Sequence, residues 1–199
     1  LPPQMPVLAK INLRDGFAGG LELPESVQIA RWLEGCGTSA LVLSGGFVSR
    51  DAFYLFRGSR PLRQMIEVEE SWAQKLALLL FGPTVIREYP FEPLYFLPLA
   101  NEVRRAVAMP LILVGGVKSL DDIETALGHG FELVAMGRAL LHDPALIAKY
   151  QAGAQRTSGC IPCNQCVAEM DRAGGVRCVR VPEQLAQRER YLRSLCQRT

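Results

Sequence analysis

No apolar run in this chain of 199 residues reaches the roughly 18 residues of a membrane-spanning helix, so no membrane partner is expected. Charge of one sign is also scarce. A net charge of +2 is too small to gather a phosphodiester backbone, which argues against nucleic acid. The N-terminal LPPQMPVLAKINL has no charged region ahead of an apolar stretch, so no signal peptide is visible and a cytoplasmic location is expected. It also lacks an initial Met, and it reads like the interior of a longer protein, entered just before a strand. Composition excludes a disordered chain: 49% of residues are hydrophobic and 21% charged. A chain this long buries one sizeable core or two small ones.

What is present is an alternation. PVLAKINL (6 to 13) is strand-like. PESVQIARWLEGCG (24 to 37) has helical spacing, with Pro24 suited to the first turn and Gly35 and Gly37 suited to the end. SALVLSGG (39 to 46) reads as a fully buried strand. The stretch from about 47 to 92 holds a helical segment near ESWAQKLALLLFG, then the aromatic IREYPFEPLYF, for which local packing is preferred over a lid. A helix over LANEVRRAVAM (99 to 109) leads to PLILVGG, and SLDDIETALGHG (119 to 130) follows with Ser119 as N-cap and acids in its first turn. FELVAMG and a helix around DPALIAKYQAG (143 to 153) complete the fourth strand–helix pair. This order predicts an α/β fold with parallel strands near 7–12, 40–44, 111–114 and 133–136.

Four such units fit an open doubly wound sheet or half of a (β/α)8 barrel, and composition does not choose between them. Both architectures place ligands beyond the C-terminal ends of strands. Here those ends carry Ser44-Gly45-Gly46, Gly115-Gly116 and Gly137-Arg138. Glycine lets backbone N–H groups approach phosphate oxygens, and arginine adds a charge-assisted fork. An anionic phosphate is the expected ligand. The plainer reading is that these glycines only turn the chain.

The segments PVLAKINLRDG, ALVLSGG, FYLFRGSRP, EYPFEPLYFLPLANEVRRAV, MPLILVGGVKSLDDIETAL and FELVAMGRALLHDPALI together resemble the C-terminal half of the Old Yellow Enzyme family, the FMN-dependent NADH:flavin oxidoreductases. The resemblance runs from residue 6 to about 178. It implies strands 5 to 8 of a TIM barrel: a half-barrel flavin-binding region over 1–155, then a Cys-containing tail and C-terminal helix over 156–199. By the same resemblance, Lys10 faces the flavin pyrimidine edge, where a fixed positive charge stabilises the reduced anion. Ser44 ends strand 6 near the flavin, and Gly115, Gly116, Gly137 and Arg138 cradle the FMN phosphate. The implied activity passes hydride from NAD(P)H through FMN to an activated alkene or another small-molecule acceptor.

The family's substrate-binding pair and its proton donor belong to the N-terminal half, so no catalytic residue is expected in this segment. The two histidines, His129 and His142, lie on other segments and are expected in ordinary polar roles. The segment's partner is expected to be the missing N-terminal half-barrel or a second copy of the chain. A non-catalytic half-barrel that oligomerises and at most binds a phosphate is the alternative function. The presence or absence of yellow flavin colour discriminates the two.

Of six cysteines, Cys160, Cys163, Cys166 and Cys178 form a C-x2-C-x2-C-x11-C pattern. Four thiolates so spaced can hold an iron–sulfur cluster or zinc. A branch of the family resembling 2,4-dienoyl-CoA reductase binds a [4Fe–4S] cluster at a similar place, but with three residues between its second and third cysteines. On spacing alone the preferred reading is reduced, unliganded thiols. Cys36 is expected in the core and Cys196 exposed.

Overall fold

The structure, a computed structural model, describes residues 5–170 and 172–196, with side-chain surroundings through residue 194. Cys196 therefore has its side chain outside the described residues. The chain divides into two compact units, Leu1–Arg57 with Phe91–Met136, and Gly58–Pro90 with Gly137–Thr199.

The first unit holds a four-stranded parallel sheet: β1 (Leu8–Asn12), β2 (Ala40–Ser44), β3 (Leu111–Val114) and β4 (Leu133–Ala135), side by side in chain order. The register pairs Lys10 with Val42, Asn12 with Ser44, Leu43 with Leu113, and Val114 with Ala135. The apolar runs that predicted these strands have a simple cause. β2 and β3 are the inner strands, and Leu41, Leu43, Leu111 and Leu113 are fully buried. β1 and β4 are edge strands, with Leu8 56% and Leu133 55% exposed.

Helices α1 (Leu23–Gly35), α2 (Val48–Leu55), α5 (Leu97–Ala106) and α6 (Leu120–Gly128) complete the unit. α1 begins with a reciprocal cap between Glu22 and Glu25 and with Pro24 in its first turn. α6 begins as the sequence predicts. The Asp122 N–H donates to Ser119 Oγ at 3.0 Å, and the Ser119 N–H donates back to Asp122 Oδ2 at 2.8 Å. Ser119→Ala is expected to cost about 1 kcal/mol, read from the midpoint of urea unfolding at unchanged slope.

Cys36 is exposed at the C-terminal cap of α1 rather than in the core. The helical spacing that placed it inside ends one residue earlier, at Gly35, so its side chain no longer shares the buried face of Ser26 and Ala30.

The second unit contains α3 (Leu62–Val68), α4 (Trp72–Val85), α7 (Arg138–His142), α8 (Leu146–Gln151), α9 (Gln165–Ala168) and α10 (Pro182–Cys196). The Ser71 hydroxyl caps the start of α4, and Arg60 closes its end by donating to the Pro83 and Ile86 carbonyls at 2.9 and 2.8 Å. Trp72, Leu79, Leu80, Phe81 and Val85 of α4 are exposed. Among the described residues no helix is long and apolar enough to cross a membrane.

Candidate functional site

In the first unit, the C-terminal ends of β1, β2 and β3 are bound by short polar ties and one aromatic cluster. Asn12 ends β1, and its Nδ2 donates to Asp15 Oδ1 at 2.8 Å and to the Gly46 carbonyl at 3.0 Å. The Gly46 N–H donates to the Arg14 carbonyl at 2.8 Å, so the loops after β1 and β2 are laced together. Lys10 lies mid-strand on β1 and is exposed.

Ser44 ends β2 and is 1% exposed, yet its Oγ has no hydrogen-bond partner among the described residues. A buried hydroxyl left alone costs about 1–3 kcal/mol, so this oxygen is suited to a ligand atom or a water.

The glycines at these strand ends have a packing cause. A Cβ on Gly45 would stand 2.6 Å from Phe96 Cζ, and one on Gly115 would stand 2.7 Å from the rings of both Tyr95 and Phe96. At Gly116, φ is +80°, and a Cβ would stand 2.6 Å from the Leu94 nitrogen and 2.7 Å from the Glu92 carbonyl oxygen. The 92–96 segment, read on the sequence as local packing, presses these turns from one side. Tyr95 and Phe96 are buried and meet edge to face at 4.7 Å, and Tyr95 Oη donates to the Leu55 carbonyl at 2.6 Å. Gly137 differs: nothing lies within 4 Å of its added Cβ, so no contact requires glycine there.

In the second unit, Gly137 and Arg138 open α7. Arg138 donates to Asn164 Oδ1. Asn164 is buried, holds a left-handed φ of +57°, and donates from Nδ2 to the Ser59 carbonyl at 3.1 Å. Arg138 is thereby tied to the loop that carries the cysteines.

Cys160, Cys163, Cys166 and Cys178 all line one cavity of about 20 Å³, together with Arg138, His142 and Asn164. That volume suits about one water. Burial pushes the Cys166 thiol up to about 11, with Arg138 opposing and the other three cysteines adding to the rise. Among the described residues no three His, Cys, Asp or Glu side chains are arranged to hold a metal ion. The four thiols nonetheless share one cavity, although Cys178 is well separated from the other three in sequence.

Sequence reasoning gave His142 no role here. Its Nδ1 lies 3.4 Å from Cys178 Sγ. The residues are 36 positions apart, and only the fold brings them together. His129 caps the end of α6, as the helix–strand loop predicted.

No family model matches the chain. Most of its curated relatives carry oxidoreductase names, and one is an imidazole glycerol phosphate synthase subunit HisF of Pyrobaculum aerophilum, 30% identical over 97 residues. The chain is 43% identical over 174 residues to a 4,4'-dithiodibutanoate disulfide reductase of Rhodococcus erythropolis, a match covering 87% of this chain and 42% of that protein. It is 27% identical over 161 residues to an NADH oxidase of Thermoanaerobacter brockii, covering 80% of this chain and 20% of the relative. A third match, 36% over 93 residues, is to an N,N-dimethylglycine/sarcosine dehydrogenase of Chromohalobacter salexigens and covers 46% and 13%. The chain thus has oxidoreductase homologues and spans less than half the length of each of these three.

Proposed function

We propose that this chain is the strand 5–8 half of a TIM barrel in an FMN-dependent oxidoreductase of the Old Yellow Enzyme type. Its electrons come from NAD(P)H, and its acceptor is an activated alkene or a similar small molecule. The observation that carries the reading is the 43% identity to a disulfide reductase over 87% of the chain; a disulfide is accordingly a second acceptor class. The sequential parallel order of β1 to β4 supports a barrel half, because a doubly wound sheet reverses direction at its switch point.

FMN, when bound, supplies the hydride-transfer chemistry. In this reading Lys10 sets a positive charge at the pyrimidine edge, and the buried Ser44 hydroxyl offers a hydrogen bond beside the ring. The Gly115-Gly116 backbone, and on the resemblance Gly137 and Arg138, receive the phosphate. Arg138→Ala is expected to weaken FMN retention roughly ten- to a hundredfold, the worth of about 1.5–3 kcal/mol for a charge-assisted contact. Asn164→Ala, which removes the loop tie but keeps the guanidinium, should leave retention unchanged. Equal losses in both variants, by fluorescence of released FMN, would mean that Arg138 acts only by holding the loop.

The exposed Leu8 and Leu133 on the edge strands favour a partner that covers both sheet edges. We assign that role to an N-terminal half-barrel, with a second copy of the chain as the other candidate. In the latter case the isolated chain is a colourless dimer by light scattering and absorbance.

We also propose that Cys160, Cys163, Cys166 and Cys178 stay reduced thiols around one shared cavity, with an iron–sulfur cluster or zinc as the alternative. Anaerobic purification with iron, sulfide and zinc analysis tests this, and stoichiometric iron or zinc refutes it.

A further inference from the structure

Lys75 is the one charged residue of α4, WAQKLALLLFGPTV. The helix packs on α3 through the side that carries Gly82, where an added Cβ would stand 2.6 Å from Leu62 Cδ1. About a quarter turn away lies a second apolar side. Trp72, Leu76, Leu79 and Pro83 fall within an arc of about 60° there, with Leu80 beside them. This stripe is open to water: Trp72 is 76% exposed, Leu76 48%, Leu79 59% and Leu80 63%, and Pro83 is exposed too.

Trp72, Leu76, Leu79 and Pro83 follow one another at steps of 4, 3 and 4 residues, the spacing of a short coiled-coil seam. That series reads the same in both directions. An antiparallel copy of α4 therefore matches it position for position, with Trp72 against Pro83 of the second copy and Leu76 against its Leu79. A twofold interface demands this self-complementarity. At their exposures Trp72, Leu76, Leu79 and Leu80 offer roughly 500 Å² per copy, so a pair buries about 1,000 Å², the lower limit of a specific interface. A reversible dimer follows rather than an obligate one. A helix built to lie on a lipid surface instead carries many Lys and Arg on its polar face, and α4 has Lys75 alone.

We propose that the Trp72–Leu76–Leu79–Pro83 stripe of α4 is a homodimer interface, in which two copies pair their α4 helices antiparallel about a twofold axis between Leu76 and Leu79. The surface uses neither the strand ends nor the cysteine cavity, so it stands apart from the flavin reading. It is also distinct from the sheet edges at Leu8 and Leu133.

The test is sedimentation velocity of the intact protein from about 1 to 100 μM, the range in which a dimer of this small area dissociates. Reductant is present throughout, so that the exposed Cys36 forms no cross-link. Wild type is expected to pass from monomer to dimer across that range. Leu76→Glu, which sets a carboxylate against Leu79 of the other copy, should weaken association at least about tenfold. Leu76→Glu with Leu79→Lys should regain most of it, because each new carboxylate then meets an ammonium across the axis. Val85→Glu, at a residue 72% exposed on another side of the helix, should leave association unchanged. Circular dichroism equal to wild type checks that each variant is folded. A monomer at the highest concentration overturns the proposal, and so does a dimer that Leu76→Glu leaves intact, since it uses another surface. Equal weakening by Leu76→Glu and Val85→Glu overturns it as unspecific stickiness, and a double variant no better than Leu76→Glu overturns the antiparallel register. Monomeric protein that floats with phosphatidylcholine vesicles, and loses that in Leu76→Glu, would assign the stripe to a lipid surface instead.

Discussion

Phe96→Ala is expected to destabilise the first unit by about 3–5 kcal/mol, the usual cost of deleting a fully buried aromatic side chain. Phe96 is completely buried. Its ring meets Tyr95 at 4.7 Å and Tyr54 at 5.9 Å, and it lies against the turns at Gly45 and Gly115. Removing it takes away apolar burial and two aromatic contacts, and it leaves a cavity bounded partly by backbone. Backbone turns cannot fold inward to fill that space as flexible side chains do, so the upper half of the range is expected. Phe96→Leu should recover a substantial part of the loss. The measurement is chemical unfolding followed by near-ultraviolet circular dichroism. A loss below about 1 kcal/mol would show that the β2 and β3 turns do not depend on this ring.

Glu169→Ala is expected to cost a comparable amount in the second unit, about 3–5 kcal/mol, for an electrostatic reason. Glu169 is 5% exposed and is held by two arginines: Arg188 at 2.7 Å and Arg172 at 2.9 Å. They are not equivalent. The Arg172 side chain is 46% exposed, and its pair with Glu169 contributes little through water and salt. The Arg188 side chain is 11% exposed, and apart from Glu169 it donates to the Ala173 carbonyl at 3.1 Å. Deleting the carboxylate strands a buried guanidinium on α10, and that uncompensated charge is the main cost. The double variant Glu169→Leu with Arg188→Met should therefore be much less damaging than Glu169→Ala alone. Equal losses in the two would show that the pair matters for its shape rather than its charge. Glu169 lies three residues after Cys166, so Glu169→Ala should also loosen the cysteine site and raise the alkylation rate of Cys166.

The sheet was legible because its inner strands are buried on both faces. That burial writes LVLS and LILV as unbroken apolar runs, and the turns required by Phe96 and Leu94 write glycines after them. α1 and α6 were legible through their caps. α2, α3 and α7 were not. They have 8, 7 and 5 residues, α2 is kinked at Asp51, and none has a side-chain cap, so neither periodicity nor a start signal marks them. The division into two units was hidden as well, because each is built from separated stretches of chain. At the candidate site the thiols stand out in the sequence, but their relation to His142 and Asn164 does not. The first is a contact across 36 residues, and the second rests on a left-handed backbone at an asparagine with no neighbouring glycine. The glycines carried a mixed message. Packing explains those at 45, 115 and 116, whereas Gly137, after β4, stands in open space.

The interleaving of the two units matters while the chain is being made. The polypeptide leaves the first unit after Arg57, builds 58–90, returns to supply β3 and β4, and only then completes the second unit from Gly137 onward. At about 5–20 residues per second, the α3–α4 hairpin waits several seconds on the ribosome before α9, which packs on α3, has been synthesised. Throughout that interval α3 lacks its α9 partner, and the leucines and aromatics of α4, exposed in the finished fold as well, add to the apolar surface. The nascent chain is then an obvious client for a holding chaperone. Slowing translation just after residue 90 should reduce the yield of folded protein more than an equal pause after residue 160.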